Sequence, residues 1–199
     1  MSITKALQDW LDGGSSRMGQ LLVRREGGGF SLLHHEDAAR ADLAAFHDPE
    51  AAREIARYDD AGKYRPLKSA PNLRHGWELS LEGLEDLRLA LDFLYPAALG
   101  AWVWRREGRL APVDFRRTAE RQTGMYEIVK RLSDAQADAL AGDFCADGKC
   151  LKTILWRIAP GRPVTTLPPA KFDPEREAMS LLCAEACNLY VAAARKVVR

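Results

Sequence analysis

The chain has 199 residues, of which 47% are apolar and 29% charged, and a formal net charge of +1. That length fits one large domain or two small ones around a buried core. The composition excludes a disordered chain, and the near-neutral balance argues against a globally basic nucleic-acid binder or an acidic tail protein. Four cysteines are too few for a disulfide-stapled secreted scaffold. No apolar run approaches the ~18 residues of a membrane helix, and Lys5, Asp9 and Asp12 interrupt the stretch where a signal peptide is apolar. The expected location is the cytoplasm, where thiols stay reduced, with no membrane partner.

In chain order, Ser2 caps a helix over 2–12 whose face carries Ala6, Leu7, Trp10 and Leu11, and Gly13-Gly14 end it. QLLVRRE and FSLLHHE flank Gly27-Gly28-Gly29 and predict a hairpin. The alanine-rich stretch 36–46 reads as helical, and Asp48-Pro49 opens a further helix to about Tyr58. Residues 59–77 carry prolines and glycines without apolar periodicity and read as a long loop. Ser80 is placed as the cap of an amphipathic helix through Leu84, Leu87, Leu91 and Leu94, stopped by Pro96.

AWVWRRE alternates as a strand does, with its tryptophans toward the core, and a second strand is expected near 110–116. Residues 116–132 read as helical with a break at Gly124, and Ser133 with Gln136 marks a capping box for a helix over 134–142. CLKTILWRI fits strand or helix, 160–174 is a proline-rich loop, and a last helix is expected from about Pro174 to about Val198, capped by Asp173. The fold class is α+β: an N-terminal mixed hairpin/helix domain over 1–120, then a small, mainly helical cysteine-bearing domain over 121–199.

Charge and cysteines are distributed unevenly. Residues 1–100 carry a net −4 and residues 101–199 a net +5, and all four cysteines lie in the basic half. They form two close pairs, Cys145-x4-Cys150 and Cys183-x3-Cys187. On the expected last helix, Cys183 and Cys187 share one face, one turn apart and mid-helix, where the helix dipole helps little. Lys149 and Lys152 flank Cys150 and offset thiolate charge. Two such pairs suit a four-thiolate metal centre. Spacing leaves three assignments open: an iron–sulfur cluster, structural zinc, or two disulfides, beside unrelated core cysteines.

The strings GKYRPLKSAPNLRHGW (62–77), LDFLYPAAL (91–99), RQTGMY (121–126), CLKTILW (150–156) and CAEACNLYVAAARK (183–196) carry a family likeness. They resemble the non-chelatase portion of multi-domain proteins of deinococcal bacteria and relatives. Those proteins join a sirohydrochlorin-type (cobalto)chelatase module to a stabilising domain and a small C-terminal [4Fe–4S]-binding domain. The resemblance runs from about residue 18 to the end. It implies a [4Fe–4S] cluster held by Cys145, Cys150, Cys183 and Cys187, with zinc as the runner-up metal. No segment here reads as the chelatase module, so chelatase chemistry is not carried over. The expectation is an accessory protein with a redox, sensing or structural role linked to chelatase and tetrapyrrole (cobalamin or siroheme) metabolism. Its partner would be a separate chelatase or a redox protein.

Outside the cysteines, Tyr64, Arg65, Arg74, His75 and Trp77 could line a pocket for an anionic aromatic ligand such as a tetrapyrrole, with arginine meeting carboxylates. The plainer alternative is a loop pinned across the core. Arg121 and Gln122, beside Gly124, are candidates for docking or for joining the two parts. His34 and His35 are adjacent on a strand and point to opposite faces, so they cannot both grip one metal without distortion; with His47 they could still mark a weak metal or proton site, beside the default of surface or structural histidines. The stretch Arg105, Arg106, Arg109, Arg116, Arg117, Arg121 beside Trp102 and Trp104 has the ingredients of a single-strand nucleic-acid site, but Glu107, Asp114 and Glu120 dilute it. No phosphate loop, nucleophile elbow or paired catalytic carboxylate signature occurs. Four cysteine ligands leave no open iron, which favours electron transfer or structure over hydratase chemistry. The competing classes are a cluster-dependent enzyme on a small substrate and a zinc-stabilised interaction or nucleic-acid-binding module.

Overall fold

A computed structural model of the chain describes residues 1–56, 73–146, 152–159, 162–163, 179 and 181–199. The architecture is α+β, with two apolar cores. Helix α1 (Ile3–Asp12) begins where Ser2 Oγ accepts the Lys5 N–H at 3.1 Å, and it buries Ala6, Leu7, Trp10 and Leu11. Strands β1 (Arg17–Met18), β2 (Leu21–Glu26), β3 (Gly29–His34), β4 (Ala44–Phe46) and β5 (Trp77–Leu81) form one sheet in the order β1-β2-β3-β5-β4. All its pairs are antiparallel except β4 with β5. The hairpin forms as expected, with Gly27 and Gly28 supplying the positive φ of its turn.

The stretch 36–46 is not a helix. It is a single 3-10 turn, His35–Asp37, followed later by β4. The Asp37 carboxylate accepts the Gly76 N–H at 2.7 Å, and the Ala44 N–H donates to Gly76 O, which lays this segment along β5. Those tertiary bonds outweigh alanine's helix propensity of a few tenths of a kcal/mol per residue. The helix after Pro49 is short, α2 (Ala51–Ile55), and Asp48 caps the turn before it through the Glu50 N–H. Ser80 does not cap a helix. It lies in β5 opposite Ser31, and α3 (Leu84–Leu94) starts after Gly83. Leu87, Ala90, Leu91 and Leu94 form its buried stripe.

AWVWRRE is helix α4 (Ala98–Arg106), not strand. The burial of Leu99, Trp102 and Val103 has helical spacing, and the apparent alternation spans only four residues. Trp102 enters the core, whereas Trp104 is 44% exposed. Ala97, at φ 59, turns the chain from α3 into α4 and is the one non-glycine with positive φ among the described residues. The expected strand near 110–116 is only the two-residue β6 (Val113–Asp114) before α5 (Phe115–Glu120).

The second core begins at Phe115. A 3-10 segment (Gly124–Arg131) follows α5, and Gly124 at φ 57 makes the expected break. The Ser133–Gln136 capping box opens α6 (Asp134–Ala141), which ends in a π-turn over Gly142–Ala146. CLKTILWRI contributes strands β7 (Lys152–Ile154) and β8 (Trp156–Ala159). β8 pairs with β6 and with β9 (Arg162–Pro163), and β7 pairs in parallel with β10 (Leu181–Cys183). Helix α7 (Asn188–Val197) closes the chain.

The expected helix from Pro174 to Val198 is therefore broken. Strand β10 occupies 181–183 and the helix starts only after Cys187. The β7 edge captures Leu181–Cys183, and Cys187 provides a start signal in mid-pattern. This segment also links the two cores. Met179 and Leu181 are buried in the N-terminal core, the Met179 N–H donates to Arg17 O, and four residues past Met179 lies Cys183.

Candidate metal centre

Three of the four cysteines lie within the described residues, and Cys150 lies outside them. Cys145 sits in the π-turn after α6, Cys183 ends β10, and Cys187 is the N-cap of α7. All three are buried, between 6% and 8% exposed, and all are thiols rather than half-cystines. Each occupies the end of an element and not its middle. A helix N-terminus, where Cys187 sits, leaves backbone N–H groups without helix partners, and thiolate sulfur accepts such groups.

Cys187 shows this directly. Its Sγ accepts the Tyr190 N–H at 3.4 Å, the bond a serine or aspartate cap would make. The expected mid-helix placement is thus corrected, and with it the electrostatics. A negative sulfur at Cys187 sits at the positive end of the α7 dipole. Cys183 Sγ lies 3.3 Å from Glu185 O, and the strand holds it through Leu155 N–H to Cys183 O at 3.1 Å. Burial pushes the Cys183 thiol up, and the Lys152 ammonium opposes that shift. Cys187 caps the turn that carries Tyr190, and Cys145 is buried in the same core as that ring. Cys187 in turn bears on Cys183.

An aromatic wall backs the thiols. Trp156 packs edge-on between Phe115 at 5.2 Å and Tyr190 at 4.9 Å, and the Tyr190 hydroxyl donates to Ala137 O at 3.2 Å. Trp156 is fully buried, and its Nε1 has no acceptor among the described residues. A buried N–H without an acceptor is costly. In a core that also holds Cys145 and Cys187, it suits a sulfur-rich group that accepts hydrogen bonds. The donor set therefore fits a thiolate-held iron–sulfur cluster. Tyr190 and Trp156 were not singled out from the sequence. Tyr190 lies three residues after Cys187, where a capping partner falls, and that is the one signal that pointed to it.

The other candidate residues do not gather into one site. Tyr64 and Arg65 lie outside the described residues. Arg74 is exposed, and its carbonyl accepts from Trp77 Nε1 at 2.7 Å. Trp77 is buried in the N-terminal core and offers no ring to a ligand. His75 instead approaches His34, with ring centroids 3.9 Å apart. Gln122 donates to Thr118 O at 3.0 Å and so tightens α5, while Arg121 is exposed. The arginines of 105–121 are exposed along α4, the turn after it and α5. Arg109 pairs with Glu107 and Arg116 with Asp134, so the stretch is partly neutralised.

Comparison with known proteins gives two family matches that meet between residues 106 and 107. Residues 3–106 match the DR2241 stabilising domain, and residues 107–196 match a 4Fe-4S iron-sulfur cluster binding domain. No curated protein matches the chain. One solved structure that it resembles is DR2241 from Deinococcus radiodurans, described as a multi-domain protein with structural similarity to chelatases and two additional novel domains. The identity is 34% and the TM-score 0.65, and the match covers 98% of this chain and 40% of that one. The chain thus spans less than half the length of this relative. With over half its residues matching that family and the rest forming a [4Fe–4S] cluster-binding domain, the chain belongs to the DR2241 stabilising-domain family.

Proposed function

We propose that this chain is a redox accessory unit for a chelatase-like partner, with its [4Fe–4S] cluster held by Cys145, Cys150, Cys183 and Cys187. The observation that carries this reading is the Cys187 cap, a buried sulfur that already accepts a backbone N–H at a helix N-terminus. Hydrogen bonds to ligand sulfur stabilise the more negative, reduced state and so adjust the potential of an electron carrier. When bound, the cluster supplies a one-electron couple. The protein's residues would bury it, donate to the Cys187 sulfur from Tyr190 N–H, and offer Lys152 as a nearby positive charge.

The link to chelatase-like proteins rests on the relative DR2241, and tetrapyrrole metal chemistry is the reading we attach to it. A partner would dock on the basic face near α7. There Met125 is 66% exposed, and Arg131, Arg195 and the Lys130–Glu127 pair line a shallow cavity of about 370 Å³ with a net positive charge. The Tyr126 hydroxyl bonds to Asn188, the residue after Cys187, and so ties this face to the thiol site. An acidic partner surface complements it.

Anaerobic purification tests the reading. The protein should be brown, carry about four irons per chain and show a reversible one-electron couple. Colourless protein with one zinc per chain would overturn the cluster. A cluster that cannot be reduced and reoxidised would overturn the redox role and leave a structural one. Cys187→Ser should lower both iron content and thermal stability, and a variant that keeps both would remove Cys187 from the ligand set.

A further inference from the structure

A second group of metal-ligating side chains lies at the surface of the N-terminal half, on elements that carry no cysteine. His34 ends β3, Glu36 sits in the 3-10 turn that follows, and His75 immediately precedes Gly76 and β5. Because β3 and β5 are hydrogen-bonded neighbours, residues 41 positions apart are brought face to face. One donor atom from each of His34, Glu36 and His75 lies within 4.8 Å of the other two.

Three features make this more than proximity. First, His34 is 1% exposed, and its Nε2 has no hydrogen-bond partner among the described residues. A ring nitrogen enclosed in that way is unsatisfied unless something binds it. Second, His75 is oriented from behind. Its Nδ1 lies 3.4 Å from the buried Asp37 carboxylate, which also accepts the Gly76 N–H and a bond from Arg40. That contact places the ring proton on Nδ1 and leaves the lone pair on Nε2, as the carboxylate–histidine pair of a metal site does. Third, His75 Nε2 faces Glu36 Oε2 at 3.7 Å. A lone pair and a carboxylate at that separation repel unless a cation, a proton or a metal ion, lies between them.

We propose that His34, Glu36 and His75 form a divalent-cation site of the two-histidine, one-carboxylate type. Two imidazoles and one carboxylate select a borderline ion such as Zn²⁺, Ni²⁺ or Co²⁺ over Mg²⁺ or Ca²⁺. Glu36 and His75 are partly exposed, so water completes the coordination and the ion enters from solvent. His34 Nδ1 accepts the Glu36 N–H at 3.2 Å. Ligation through Nε2 moves the ring proton to Nδ1, so that bond is given up on binding, which favours an exchangeable ion over a permanently held one. Neither the cluster nor the redox reading is needed for this site.

The test uses the full chain with its cluster loaded and its iron counted, so that metal taken up by empty thiols is recognised. Calorimetric titration with Zn²⁺ should give one site per chain. His75→Gln, at an exposed position, should weaken that binding about 10-fold or more without changing the iron content. Glu36→Gln should weaken it in the same direction, and a far-ultraviolet spectrum unchanged in both variants shows that the fold survives. Absence of Zn²⁺ binding would overturn the proposal and leave a proton between His75 and Glu36. Uptake that His75→Gln leaves unchanged would assign the ion to the thiols and overturn it equally.

Discussion

The two halves of the molecule solve the same burial problem with different materials. The N-terminal core is mainly leucine: Leu7, Leu21, Leu32, Leu79, Leu87, Leu91 and Leu94 are fully enclosed between a five-stranded sheet and helices, with Trp10, Trp77, Tyr95 and Trp102 packed among them. The C-terminal core has short strands of two to four residues, and its enclosed set includes Cys145 and Cys187 beside Trp156 and Tyr190. A core of the first kind is stabilised by apolar burial alone, at ~25 cal/mol per Å². One of the second kind also encloses thiols, which a metal centre would hold as ligands; the orphan indole N–H is common to both cores, Trp10 in the first and Trp156 in the second, among the described residues. The N-terminal half should thus hold without the cluster apart from its seam with Met179 and Leu181, and the other half should depend on its cluster.

Removing iron is the strongest way to break this contrast. Chelation under reducing conditions should melt residues 107–196 while 3–106 stay protected, as read by hydrogen exchange. Tight thiolate sites couple on the order of 10 kcal/mol to folding, so the loss should be complete and not graded. Equal loss of protection in both halves would show a single cooperative unit. Leu91→Ala is the converse experiment. It opens a cavity under fully enclosed α3 and should cost the N-terminal half about 2–5 kcal/mol in denaturant unfolding, with iron content unchanged.

Gly19→Ala probes the seam between the halves. Gly19 has φ +55, and an added Cβ would stand 2.6 Å from Leu181 Cδ1, two residues before Cys183. The strain and the displaced leucine should cost about 1–3 kcal/mol. Because Leu181 belongs to the N-terminal core and Cys183 to the thiol site, this variant should also lower iron retention, measured after gel filtration.

How much of this was legible in the sequence follows the same division. Elements with local signals were readable: the Ser2 cap, the glycine hairpin, the leucine stripe of α3, the Ser133–Gln136 box. Errors arose where a distant partner overrode a local pattern. Ala44 and Ala45 of the 36–46 stretch became part of β4 because Gly76 binds Ala44 and, across 39 positions, Asp37. The last helix was broken because β7 takes Leu181–Cys183 as a strand. The four cysteines were visible as two pairs, but their placement at element ends was not, since a cysteine cap has the same spacing in sequence as a mid-helix pair. His34 and His75 had no shared local signal, and only the β3–β5 pairing joins them.

Smaller changes sharpen the comparison further. Ser133→Ala removes the side-chain half of the α6 capping box, the Gln136 N–H to Ser133 Oγ bond, leaves the Ser133 N–H to Gln136 Oε1 bond in place, and should cost the C-terminal half about 1 kcal/mol. In cluster-loaded protein this cost should be masked if cluster loss governs unfolding, and it should reappear in the refolding of the iron-free chain.

Asp92→Asn should have the smallest effect, with the opposite sign. Burial on α3 pushes the Asp92 carboxyl above its ordinary value of 3.8, and the Arg88 guanidinium, 3.0 Å away, opposes that shift without cancelling it. A raised folded-state value means that the native state binds the proton more tightly than the unfolded chain does. Stability contributed by that proton is present at low pH and is lost as pH rises through 3.8 and beyond. Asparagine carries no charge at any pH and still offers Arg88 an oxygen. The variant should therefore unfold at slightly higher denaturant than the parent at pH 7, and the gap should close in acid below 3.8. With 36% of the Asp92 side chain in solvent, screening keeps the gain small. A loss at pH 7 would show that the Arg88 pair outweighs the burial of Asp92, and that the N-terminal half is not held by apolar burial alone.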